Sequence, residues 1–223
     1  MIIKEACRED IPRLTQLWQE AFSDPPAFIQ GFFQAGFDPR RSAVAGSGAG
    51  ALYWFDCRFS GKKIAYIYAV ATKKEYRGRG ICRELMAYAH KALQEQGYAG
   101  AILVPADEGL AGMYEKMGYR AIPDTPFAGR CGHRPLQELV EITGAEYGQL
   151  RRGFLPEGGV EHGQTAFSYM ATFLKFYRFP GGICCGNMEG WAEILPGGQG
   201  EKAMYLPFDD SEELPAYFAL GMG

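Results

Sequence analysis

Apolar positions recur at helical spacing in two long stretches and cluster as strand-like runs between them. Ile11, Leu14, Leu17, Trp18, Ala21 and Phe22 return every three or four residues, which predicts a helix that Asp24-Pro25-Pro26 stops. Asp10 stands where an N-terminal cap is expected. Ile81, Leu85, Ala89 and Leu93 mark a second helix over 81–96, with Gly97 just past its end. The stretch 27–37 has a helical pattern interrupted by Gly31 and Gly36. Strands are predicted at 2–6, 42–45 and 51–58, and at 64–72, whose Ile, Tyr and Val content reads as a central strand. A short strand at 101–104 ends at Pro105, and Leu110, Met113, Tyr114 and Met117 give a short helix before Gly118. A strand at 119–122 follows. The resulting order, βααβββαβαβ, predicts a layered α/β domain over residues 1–125.

Residues 126–223 read as a second, smaller α/β unit. After a Pro- and Gly-bearing linker at 123–135, the pattern predicts a strand at 136–142 and helices at 145–154 and 165–177. Strands at 182–186, 191–195 and 203–206 close the chain. Phe167, Met170, Phe173, Leu174 and Tyr177 share one helical face and read as core, with a substrate-pocket wall as the alternative.

The 223 residues are 47% hydrophobic and 22% charged, close to an ordinary globular protein, so global disorder is excluded. Glycine, at 30 residues, is the one excess, and it points to turns and close backbone approach. A net charge of −3 gives no footing for nucleic acid or an acidic membrane. The charge is uneven. There are 16 basic against 14 acidic residues through Thr125, and 7 against 12 beyond it. The longest apolar run is far shorter than the ~18 residues a membrane helix needs, and the start lacks a signal-peptide plan. A cytoplasmic location is the expectation. Cys7, Cys57, Cys82, Cys131, Cys184 and Cys185 form no C-x-x-C, and His90, His133 and His162 form no H-E-x-x-H, so no metal site is expected.

One stretch carries chemistry. Lys73, Lys74, Arg77, Arg79 and Arg83 set five positive charges against Glu75 alone, in a loop punctuated by Gly78 and Gly80 that leads into a helix. The first N–H groups of a helix lack partners and its dipole is positive there, so such a loop can cradle a pyrophosphate. The spacing is neither G-x-x-x-x-G-K-[ST] nor G-x-G-x-x-G, which excludes a Walker-type or dinucleotide phosphate loop. A solvated basic turn is the plain alternative on these residues alone.

Val70-Ala71-Thr72, then Arg77-Gly78-Arg79-Gly80-Ile81, a helix, a strand, and Tyr114 in a helix before Gly118-Tyr119 closely resemble the GNAT superfamily of N-acetyltransferases over about residues 1–125. Cys82 departs from the Gly or Ala that many members carry there. The resemblance implies a mixed sheet flanked by helices, with acetyl-CoA as co-substrate. It also implies that main-chain groups of Val70, Ala71 and Thr72 meet the pantetheine arm, and that Arg77, Gly78, Arg79, Gly80, Ile81 and Cys82 hold the pyrophosphate. Tyr114 is then the general acid toward the departing thiolate. The general base is not assigned, with Glu20, Asp24, Asp107 and Glu108 candidates by residue type and a water chain the alternative. The second unit more weakly resembles the degenerate GNAT-like unit of enhanced-intracellular-survival-type acetyltransferases, which lacks the CoA loop. The expected activity is direct acetyl transfer to the amine of a small molecule or peptide. A catalytically weak acyl-CoA-binding or sensing module is the alternative. A homodimer stays open, and the acidic second unit is expected either to wall the acceptor site or to serve as scaffold.

Overall fold

The structure, a computed structural model, describes residues 1–123, 129–130, 139–154, 157–180, 182–187, 190–193, 202–209 and 213–218. Its first part runs β1 (Ile3–Lys4), α1 (Ile11–Phe22), α2 (Pro26–Gly31), β2 (Ser42–Ala45), β3 (Gly50–Phe59), β4 (Lys62–Thr72), α3 (Ile81–Glu95), β5 (Gly100–Leu103), α4 (Glu108–Glu115) and β6 (Arg120–Ala121). The second part runs β7 (Gly129–Arg130), β8 (Val140–Ile142), α5 (Gly144–Phe154), β9 (Glu161–His162), α6 (Gln164–Met170), β10 (Lys175–Phe179), β11 (Gly182–Asn187), β12 (Gly190–Glu193) and β13 (Met204–Pro207). A π-helical turn, Phe32–Gly36, extends α2 and accounts for the two glycines in that pattern. No helix among the described residues is long and apolar enough to cross a membrane.

The main sheet has the order β1-β2-β3-β4-β5-β13-β6, with β9 added alongside the far end of β3. Every pairing in it is antiparallel except β4 with β5. Strand alternation divides its side chains between two cores. Tyr53, Phe55, Cys57 and Phe59 of β3 and Ile64, Tyr66 and Tyr68 of β4 share a core with Leu14, Leu17 and Trp18 of α1 and Ile29 of α2. Leu52 and Trp54, with Ala65 and Ile67, pack on α3 on the other side. A second sheet, β7-β12-β11-β10-β8, is antiparallel throughout. Its Phe176, Ile183 and Cys185, together with Tyr147 of α5 and Phe167 of α6, join the first of those cores. The mixed α/β architecture with helices on both faces is the one the sequence predicts.

Three details differ from the sequence reading. The helix expected at 165–177 ends at Met170, and residues 175–179 form β10 instead. Pairing on both edges, with β8 and β11, overrides a helical spacing that runs on through Phe173 and Leu174. Residues 126–223 do not stay apart from the first sheet. β13 inserts between β5 and β6, with Met204 facing Leu103 on one side and Ala121 on the other, so the second part is spliced into the main sheet's last connection. Asp10 does not cap α1 by a side-chain bond; its carboxylate accepts from the Cys7 N–H at 3.0 Å and pairs with Arg13. Cys184 and Cys185 are buried in β11, as core residues. The predicted linker at 123–135 and the start of the strand at 136–142 lie outside the described residues, apart from Pro123 and β7.

Candidate functional site

The site begins with a defect in β4. Tyr68 pairs with Tyr53 and Ala71 with Ala51, so Ala69 and Val70 together face the single residue Leu52. This is a β-bulge, and Ala69 sits in the left-handed region at φ 48°. A non-glycine residue there costs about 1–3 kcal/mol, which the surrounding sheet must hold in place. Beyond the bulge β4 has no strand on its β5 side among the described residues. Their parallel pairing covers only Ala65–Ala101 and Tyr66–Ile102 before β5 stops at Leu103, ahead of Pro105. The two strand ends separate, and a cleft of about 430 Å³ opens between them.

That cleft passes through the sheet. Trp18, Tyr66 and Tyr68 on its wall belong to the α1 side, whereas Ile67, Leu103 and Tyr114 belong to the α3 side. A molecule entering from either face can therefore meet one from the other. Tyr114 is 5% exposed and lies on α4, whose start Asp107 caps by accepting from the Leu110 N–H at 2.7 Å. Burial, with a smaller contribution from the Cys82 thiol, raises the Tyr114 pKa above its ordinary value, so the phenol keeps its proton. The same burial pushes the Cys82 thiol up to about 11, so it is no thiolate nucleophile at neutral pH.

Next to the α3 side of the cleft lies the basic loop. Gly78 and Gly80 have φ of 75° and 80°, the left-handed region that glycine reaches without cost. A Cβ built on either would meet nothing within 4 Å, so the space over the loop is open. Gly80 is the residue that precedes α3, and no side chain caps that helix. Its first amides thus face open space, with Ile81 buried beneath as the anchor. Arg79 lies over the Tyr76 ring at 5.5 Å, and the Lys74 N–H is held by Glu20 at 2.8 Å. The loop is docked and open, with an uncapped helix start beside it. Room, dipole, glycines and cations all fit a coenzyme A pyrophosphate.

The sequence-predicted residues separate into groups. Val70 and Tyr114 line the cleft, and Gly78, Arg79, Gly80 and Cys82 belong to the loop and the start of α3. Ala71 points into the aromatic core. Arg77 Nε donates to the Thr72 carbonyl at 3.1 Å, which secures the loop to the end of β4 and engages that main-chain oxygen. Among the carboxylates named as bases, Glu20 braces the loop, while Asp107 and Glu108 line a neighbouring hollow of about 410 Å³. Asp24 alone of the four lines the cleft. The sequence reading missed the bulge at Ala69, which has no composition signal, and the role of Trp18 and Tyr68, whose aromatic character reads equally well as core.

Residues 3–122, more than half of the chain, match the family model described as an acetyltransferase (GNAT) domain. The chain belongs to the GNAT acetyltransferase family. A search of curated proteins returns no match. Among solved structures, a candidate acetyltransferase from Pyrococcus horikoshii matches with a TM-score of 0.64 at 15% identity, over 97% of this chain and 92% of that one. Eis1 from Mycobacterium abscessus matches with a TM-score of 0.63 at 13% identity, over 83% and 53%. A GCN5-related N-acetyltransferase from Anabaena variabilis matches with a TM-score of 0.62 at 18% identity, over 87% and 58%. The chain thus spans just over half the length of the last two. At these identities the likeness is one of fold. In this GNAT chain the family match covers β1 to β6, the cleft and the basic loop, and stops before β7 and the later strands.

Proposed function

We propose that the protein is an acetyl-CoA-dependent N-acetyltransferase that moves the acetyl group directly to the amine of a small molecule. The observation that carries this reading is the through-sheet cleft at the Ala69 bulge, with the glycine loop at its α3 side and Tyr114 on its wall. Acetyl-CoA, when bound, supplies the acetyl group as a thioester. The loop amides and the cations around them hold the pyrophosphate. Main-chain groups beside Val70, at the bulge on the cleft wall, can bond the pantetheine arm as an added strand would. The neutral amine enters from the α1 face and attacks the carbonyl carbon; the adduct gives its surplus N–H proton to water, the C–S bond breaks, and Tyr114 gives its proton to the sulfur and regains one from solvent. Tyr114 is suited to this by its place on the cleft wall, where the buried phenol keeps its proton. Holding both reactants across one opening supplies much of the rate by proximity. A protonated phenol on the cleft wall favours transfer over a module that only senses acyl-CoA. Calorimetric titration with acetyl-CoA, followed by thiol release across a panel of amines, tests both parts. Binding with turnover supports the enzyme; binding with no turnover on any amine leaves the sensing module; and absence of binding overturns the reading.

A further inference from the structure

The α1 end of the cleft has a chemistry of its own. Its walls there are aromatic, made by Trp18, Phe22, Tyr66 and Tyr68, and Asp24 is the single ionisable carboxylate or cation along the whole cleft among the described residues. Trp18 Nε1 donates to Asp24 Oδ2 at 2.7 Å, which fixes the carboxylate and occupies one oxygen. Among the described residues no lysine or arginine pairs with it. Behind this wall Tyr68 and Tyr169 share a hydroxyl contact at 3.3 Å, and Tyr169 packs edge-on against Phe28, so the wall is braced from α6. Asp24 also helps raise the pKa of both hydroxyls, behind the larger effect of burial, so its field reaches the wall. A half-buried anion in an aromatic setting is costly until a cation meets it, and aromatic faces attract an ammonium group.

We infer that the acceptor is an amine with one positive charge on an apolar body, an arylalkylamine or alkylamine, that docks as an ammonium ion at Asp24 with its body along the aromatic wall and attacks once that nitrogen has released a proton to water. The inference rests on the N-acetyltransferase reading and names its substrate class. A polyamine would carry further charges past walls that offer them no partner. A free amino acid would bring a carboxylate beside Asp24 with no cation to receive it, at a like-charge cost.

The test uses 2-phenylethylamine, spermidine and phenylalanine, each titrated calorimetrically into the protein saturated with coenzyme A and each assayed for thiol release with acetyl-CoA. Phenylethylamine is expected to bind and to turn over with a KM at least about tenfold below the other two, as one charge-assisted contact implies. Asp24→Asn is expected to raise that KM at least about tenfold while acetyl-CoA affinity holds, and Asp24→Glu to recover part of the loss. Preference for spermidine or phenylalanine, or an unmoved KM in a folded Asp24→Asn variant, overturns the inference and leaves the acetyltransferase reading standing. Absence of acetyl-CoA binding in the unaltered protein removes both.

Discussion

The two faces of the main sheet are built from different materials. Under α3 the core is richer in small and aliphatic residues: Ala43, Ala45, Ala65, Ala89 and Ala101 sit among Leu52, Ile67, Leu85 and Leu93, with Trp54, Tyr98, Tyr114 and Tyr119 as its rings. Under α1 it is aromatic, with Trp18, Phe32, Tyr53, Phe55, Tyr66 and Tyr68 in a continuous set of ring contacts that extends to Tyr169. Alanines let a helix approach a sheet closely, which keeps the start of α3 beside the end of β4. Large rings instead fill a wide gap, and the second sheet and its helices lie across that gap. The contrast follows the proposed division of labour. The close-packed face positions a backbone cradle, and the ring-lined face offers a surface for an acceptor.

Removing only the Tyr114 hydroxyl tests the aliphatic side most severely. Tyr114→Phe keeps the ring packed against Tyr119 at 5.8 Å between centroids. Turnover should fall by about 10²-fold while acetyl-CoA affinity is unchanged, because a positioned general acid contributes about that factor. Steady-state thiol release beside calorimetry separates the two quantities. Surviving turnover would make Tyr114 a packing residue.

The junction of the two parts comes next. Gly31 of α2 lies against Thr172 so closely that a Cβ there would meet its side chain, and Thr172 is itself held by donating to the Tyr169 carbonyl at 2.8 Å. Gly31→Val should destabilise the fold by about 2 kcal/mol through overpacking. That corresponds to a Tm lower by roughly 4–8 °C for a chain of this size. Thermal unfolding followed by circular dichroism measures it. An unchanged Tm would mean that the aromatic junction yields where it is drawn as rigid.

At the cradle, Gly80→Asp adds a side chain and a negative charge where φ is 80° and the space is open. Acetyl-CoA affinity should drop at least about tenfold, or ~1.4 kcal/mol, by calorimetry. Unaltered affinity in a folded variant would move the pyrophosphate elsewhere.

The aliphatic face was the more legible of the two in the sequence. Ile81, Leu85, Ala89 and Leu93 state the helix by their period, and Gly78 and Gly80 state the loop by chemistry that no other residue supplies. The Ile, Tyr and Val content of 64–72 likewise marks β4 as a central strand. The bulge at Ala69 escaped because it depends on register against β3, a tertiary property that the segment 64–72 does not encode locally. β13 escaped for the same reason. The segment 203–206 reads as a strand, but nothing in four residues says which sheet receives it. Asp24 was visible only as a residue type until the Trp18 indole and the cleft wall gave it a place.

The smallest expected effect belongs to His90, which reports on the seal of the aliphatic face. The ring lies on α3 with Nε2 at 2.9 Å from the Tyr119 hydroxyl and the Phe208 ring at 5.6 Å. Burial lowers its pKa from 6.5 to about 4. The folded protein therefore resists protonating His90, whereas the unfolded chain takes the proton readily. Stability from this group is fully present above about pH 6.5 and is lost as the pH falls from there toward 4. Because part of the ring reaches water, the loss is about 1 kcal/mol, less than the full pKa difference would give at about 1.4 kcal/mol per unit. His90→Gln keeps a polar partner for Tyr119 without the titration. Denaturant unfolding at pH 7.5 and pH 4.5 should then show a smaller acid-side loss in the variant, by about that amount. An identical loss in both proteins would mean that water already enters between α3 and Tyr119, and that this face is looser than its alanines imply.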